Sequence, residues 1–150
     1  MSEVSNSIYF EHVDESTVEK LRRIFSDDFW ADNSEYEEIF SSINPEIVAL
    51  LRQTNNDHQN LSWLDPYPEM LEMANHMLNF DELPKNYRIW MHWTTHYDEA
   101  FLEKQFFVDG NGYVIHASNN EFTGPFLKAL LELAGASNVS FKQDSLDWYA

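Results

Sequence analysis

The hydrophobic residues change period partway along the chain, and that change limits the folds open to it. Tyr67, Met70, Leu71, Ala74, Met77 and Leu78 fall at i, i+3, i+4, i+7, i+10 and i+11, which makes one apolar stripe on a helix. Over residues 87–97 the period becomes two. Ile89, Met91, Trp93 and Thr95 share one face of an expected strand, and Arg88, Trp90, His92, Thr94 and His96 share the other. Helical and strand segments kept apart in this way imply the α+β class.

Local signals fill in the order of elements. Residues 7–13 read as a first strand. Ser16 with Glu19 and Ser34 with Glu37 have capping-box spacing. The first pair leads into Val18, Leu21, Ile24 and Phe25, and the second into Ile39 and Phe40. Asn44-Pro45 combines a cap residue with a proline at the first helical position, ahead of Ile47, Val48, Leu50 and Leu51. Asp65-Pro66 is read as opening the striped helix, which Leu83-Pro84-Lys85-Asn86 ends.

Further on, strands over 103–108 and 113–116 flank Asp109-Gly110-Asn111-Gly112, a hairpin signal. Thr123-Gly124-Pro125 starts a last helix carrying Phe126, Leu127, Leu130, Leu131 and Ala134. Gly135 stops it, and residues 138–142 can form a final strand. The expectation is a small, mostly antiparallel sheet of about four strands with helices packed on one face. The N-terminal part should be largely helical. No repeat or Pro/Gly/Ser-rich linker divides the chain, so residues 1–150 are read as a single acidic domain.

Charge bears on function more than on fold. Asp and Glu number 26 against nine Lys and Arg, a formal net of −17. The excess is steepest in residues 1–50, with twelve acids and three bases. A chain of this charge is repelled by nucleic acid phosphates and anionic lipid and attracted to basic surfaces. Arg22-Arg23 is the only adjacent basic pair, and Glu15, Glu19, Asp27 and Asp28 surround it, so no basic stripe remains for phosphates. Hydrophobic residues at 43% and aromatics at 15% separate the chain from a disordered acidic tail.

Several chemistries lack their residues. Cysteine is absent, which removes disulfides, thiolate nucleophiles and thiolate metal ligands. No Gly-x-Ser-x-Gly elbow or Gly-rich phosphate loop occurs. The Asp109-Gly110-Asn111-Gly112 run could begin a calcium loop, but the residues that follow, Val114 and His116 among them, do not continue its ligand pattern. His92 and His96 are spaced for zinc on a helix, but Trp93 stands where the metalloprotease pattern needs Glu. On a strand they sit about 13 Å apart, too far to share an ion without a bend. No metal or other cofactor is therefore expected. With no signal-peptide pattern in residues 1–7 and no membrane-length apolar run, a cytoplasmic protein is expected.

The densest constellation is acidic. Asp27, Asp28, Asp32, Glu35, Glu37 and Glu38 lie within twelve residues, interleaved with Phe29, Trp30 and Tyr36. Glu46 follows, and Glu69 and Glu72 sit on the polar side of the striped helix. Like charges so close repel and cost stability, which points to a surface kept for recognition. The expected function is an acidic binding protein of the immunity or nucleic-acid-mimic type, without catalytic activity. It would occupy the basic cleft of a nuclease or other nucleic-acid-handling enzyme, as a monomer or homodimer, with Trp30 and Tyr36 as desolvated anchors. The competing explanation for the acids is general solubility, with those aromatics in the core. Two rival functions remain: a small hydrolase using His92, His96 and His116, and a structural or adaptor subunit that presents Trp63, Trp90 or Trp148 at a contact.

Overall fold

The sheet is built around the first strand. In the computed structural model, which describes residues 4–24, 32–55, 62–77, 102–107, 110–119 and 123–145, strand β1 covers Val4–Glu11. Later in the chain come β2 (Leu102–Phe107), β3 (Gly110–Asn119) and β4 (Ser137–Ser145). Among the described residues the pairings are antiparallel, in the order β2-β3-β1-β4. Ile8 of β1 stands opposite Ile115 of β3 and Phe141 of β4. That puts one apolar row across the sheet, the cross-strand unit that stabilises such pairings. Two residues along, Phe10 faces Tyr113 with the rings stacked at 5.6 Å between centroids.

Among the described residues the helices supply the rest of the α+β class: α1 (Glu15–Ile24), α2 (Asn33–Ile43), α3 (Pro45–Asn55), α4 (Pro68–Met77) and α5 (Thr123–Leu133), with a 3-10 turn at Ser62–Leu64. On α5, Phe126, Leu127, Leu130 and Leu131 are fully buried, and the helix packs on β1, β4, α3 and the 3-10 turn. Val18, Leu21 and Ile24 of α1, Tyr36 and Phe40 of α2, and Ile47, Leu50 and Leu51 of α3 join them with Ile8, Phe10 and Ile115 in one core. Val114 is also buried, but the strand's alternation turns it to the opposite face from Ile115.

The helix boundaries correct several sequence expectations. Asp14, not Ser16, caps α1. Its carboxylate accepts the Thr17 N–H at 2.8 Å and the Ser16 hydroxyl at 2.7 Å. The Ser16 hydroxyl, the Thr17 N–H and the Thr17 hydroxyl together hold the carboxyl below its ordinary pKa of 3.8. Asp32, not Ser34, caps α2 and accepts the Glu35 N–H at 2.8 Å. In both cases an ionised carboxylate is the stronger acceptor for an orphan helix N–H.

The Asn44-Pro45 reading holds, and Asn44 serves three elements. Its N–H closes α2 on the Phe40 carbonyl at 2.9 Å, and its side-chain oxygen accepts the Glu46 N–H at 3.0 Å to open α3. Its side-chain amide donates to the Leu133 carbonyl at 2.8 Å, tying this junction to the end of α5.

The striped helix begins at Pro68 rather than Pro66, because Asp65-Pro66 is used in a turn where Tyr67 N–H bonds the Leu64 carbonyl at 2.8 Å. The β2–β3 ladder closes with Phe107 opposite Gly110, so Gly110, Asn111 and Gly112 belong to β3 and not to the turn. Gly124 admits no side chain: a Cβ there would lie 2.6 Å from the Phe141 ring. Gly135, at φ +97°, ends α5. The Ala136 N–H reaches the Leu131 carbonyl at 3.0 Å, and the Gly135 N–H reaches Glu132 at 3.1 Å, which is the Schellman pattern. The strand expected over residues 87–97 lies outside the described residues.

Candidate functional site

The acidic residues take their places from the starts of helices. Glu35, Glu46 and Glu69 lie in the first turns of α2, α3 and α4. A negative charge there meets the unpaired N–H groups and positive dipole end of the helix, worth about 0.3–1 kcal/mol each. Mutual repulsion is therefore not the whole account of these acids, since part of its cost is offset locally. Asp32 is engaged as the α2 cap. Glu37 lies against Arg52 of α3, with one contact of 2.7 Å and a second of 3.4 Å, so it serves to join two helices. Glu35, Glu38, Glu46, Glu69 and Glu72 are exposed and form no ion pair among the described residues.

Tyr36 does not act as an anchor. It is 1% exposed and stacked with Phe40 at 6.4 Å in the core. The reason is spacing: Tyr36, Ile39, Phe40 and Ile43 form the inward stripe of α2, which places Tyr36 with the apolar set. Asp27, Asp28 and Trp30 lie outside the described residues, as do His92, His96, Trp90 and Trp148. Trp63 is 6% exposed, its ring edge set against Phe126 at 5.5 Å, so it is not an exposed subunit-contact residue.

An open groove of about 520 Å³ runs between α3 and α5. Ala49 and Leu50 form one wall, Ala129 and Leu133 the other, and Trp63 joins the lining; Glu46 and Glu132 add carboxylates from the two helices. The alanines leave room where larger side chains would close the space between the helices. The indole N–H of Trp63 is buried and finds no acceptor among the described residues. Glu132 pairs with Lys128 one turn earlier at 2.7 Å. Sequence reading did not single out Glu132 or the groove. The Lys128/Glu132 spacing marks a helix surface pair, but nothing in the sequence shows that Glu46 shares its groove.

A second polar corner lies at the end of β1. The Glu11 carboxylate, 8% exposed as a residue, takes a hydrogen bond from the Asn138 side-chain amide at 3.2 Å and lies 3.4 Å from His12 Nε2. His12 and Asn138 have φ of 62° and 53°. β4 carries one extra residue between its pairings with Tyr9 and Glu11, and Asn is among the few residues that tolerate this left-handed position at a bulge.

Among the described residues no group of three or more His, Asp or Glu side chains is arranged to hold a metal ion. No described helix is long and apolar enough to cross a membrane. The chain matches no protein-family model, no curated protein and no solved structure.

Proposed function

We propose that this chain is an acidic binding protein that seats on a basic, nucleic-acid-handling protein and blocks its active cleft, in the manner of immunity proteins and nucleic-acid mimics. One observation carries the reading: three of the chain's nine Lys and Arg are held by its own carboxylates, while five exposed carboxylates have no cation partner among the described residues. Arg22, Arg52 and Lys128 are paired with Glu19, Glu37 and Glu132, whereas Glu35, Glu38, Glu46, Glu69 and Glu72 face solvent without a cation among the described residues. In a chain of net charge −17, these carboxylates add to a field that steers a basic partner into encounter. The partner set in this reading is protein, without nucleic acid or membrane. The protein acts in the cytoplasm as a monomer or homodimer. Its helices gather on one face of a sheet of about four strands.

The test is capture from lysate on immobilised protein, with a variant carrying Gln at positions 35, 38, 46, 69 and 72 beside the wild type. A basic nucleic-acid enzyme should be retained at low salt, released at high salt and inhibited in solution by the wild-type chain. The five-site variant should lose both retention and inhibition. Retention of the same proteins by that variant, with the same salt dependence, would overturn the proposal.

A further inference from the structure

We infer that the α3–α5 groove is a docking site for a basic amphipathic peptide segment of the partner, an apolar side chain flanked by Lys or Arg. The inference rests on the function proposed above and gives it a place on the surface. Ala49, Leu50, Ala129 and Leu133, with Trp63 beneath, offer apolar lining, and the carboxylates at its edges come from two different helices, Glu46 on α3 and Glu132 on α5. A Lys or Arg side chain matches that combination, since its aliphatic stem covers apolar surface while its charged head stays at the wet rim. The volume of about 520 Å³ is within the range of ligand-sized clefts and exceeds what one side chain fills.

Charge also decides between occupants. Lys128 is the described cation beside the groove, and it is held by Glu132. Exposed i,i+4 pairs of this kind contribute little, so an incoming cation displaces Lys128 at small cost. Glu46 has no cation among the described residues to displace. An acidic or neutral segment would leave both carboxylates beside a poorly matched occupant. A free polyamine brings charge but no apolar anchor.

The probe is a short synthetic peptide of alternating Lys and Leu, titrated by calorimetry against the full chain. Two variants accompany the wild type: Glu46→Gln with Glu132→Gln, and Ala49→Leu with Ala129→Leu, which fills the groove from both walls. Ala49 is exposed and Ala129 half-buried, and circular dichroism checks that both variants keep the wild-type fold. The carboxylate variant should bind the peptide about tenfold more weakly, equivalent to about 1.4 kcal/mol. The filled variant should lose binding although its charge is unchanged. Spermidine at equal charge should not displace the peptide.

Equal binding by the filled variant, displacement by spermidine, or no binding by the wild type would each overturn the groove assignment. The broader function fails separately, through the five-site Gln variant. A filled variant that still captures and inhibits a basic enzyme would leave that function standing and remove the groove from it.

Discussion

The C-terminal sector and the N-terminal helices solve the same problem, starting and stopping a helix, by different means. In the C-terminal sector the solution is steric. α5 begins where Gly124 lets the Phe141 ring approach, and ends at Gly135 with two backbone hydrogen bonds. Its Phe126, Leu127, Leu130 and Leu131 have no exposed surface. In α1, α2 and α3 the solution is electrostatic or polar: Asp14, Asp32 and Asn44 each accept a helix N–H through a side chain. Packing leaves α5 little freedom to change, whereas the outer faces of α2 and α3 can carry charge and still fold. A surface for recognition fits more readily on the second kind of helix.

Substitutions at these starts test the contrast, and the steric one should matter most. Gly124→Ala would stabilise an ordinary helix, by about 1 kcal/mol. Here the added methyl meets the Phe141 ring, and overpacking should instead lower stability by about 1–3 kcal/mol. Urea unfolding reads the sign directly, and in a Phe141→Ala background the penalty should largely vanish. A stabilising Gly124→Ala would show that the close approach imposes nothing.

Asp32→Ala should come next, costing about 1 kcal/mol through the lost cap. A thermal melt at neutral pH measures it, and no change would mean that another acceptor takes over the Glu35 N–H.

The smallest effect is one of pH. Asp14 has its folded pKa lowered, below 3.8, chiefly by the Ser16 hydroxyl and the Thr17 N–H. A depressed carboxyl stabilises the fold above its unfolded pKa, and that contribution fades as pH falls through the lower folded value. The melting temperature of wild type should therefore exceed that of Asp14→Ala at neutral pH, and the gap should narrow once the pH drops below 3.8. A gap constant with pH would contradict the ionised cap.

How far the sequence reveals this arrangement differs between the two sectors for the same physical reason. Asn44-Pro45, Thr123-Gly124-Pro125 and Gly135 are legible because each leaves few alternatives: proline fixes φ, and Gly135 is the residue that accepts a left-handed stop. Ser16 and Ser34 were each displaced by an aspartate two positions earlier, because two good acceptors stood within reach of the helix start and spacing alone does not rank them. Pro66 and Pro68 form a similar pair, decided by the turn that Tyr67 closes on Leu64. Among the site residues, the exposure of Glu38 and Glu72 is readable from helical period, and so was the burial of Tyr36. The groove is not readable, since Glu46 and Glu132 are 86 positions apart and meet only because α3 packs against α5.

The position of β1 has a consequence for the order in which the protein is made. Val4–Glu11 lies between β3 and β4, whose residues run from 110 to 145. While the chain emerges from the ribosome, β1 must wait for more than a hundred further residues before either neighbour exists. Ile8 and Phe10, buried in the finished sheet, lack both of the strands that β1 finally pairs with during that interval. The local helices α1 to α3 can form meanwhile, but the sheet closes only through long-range pairing, which is intrinsically slow. Nascent β1 is thus the segment for which a chaperone would compete.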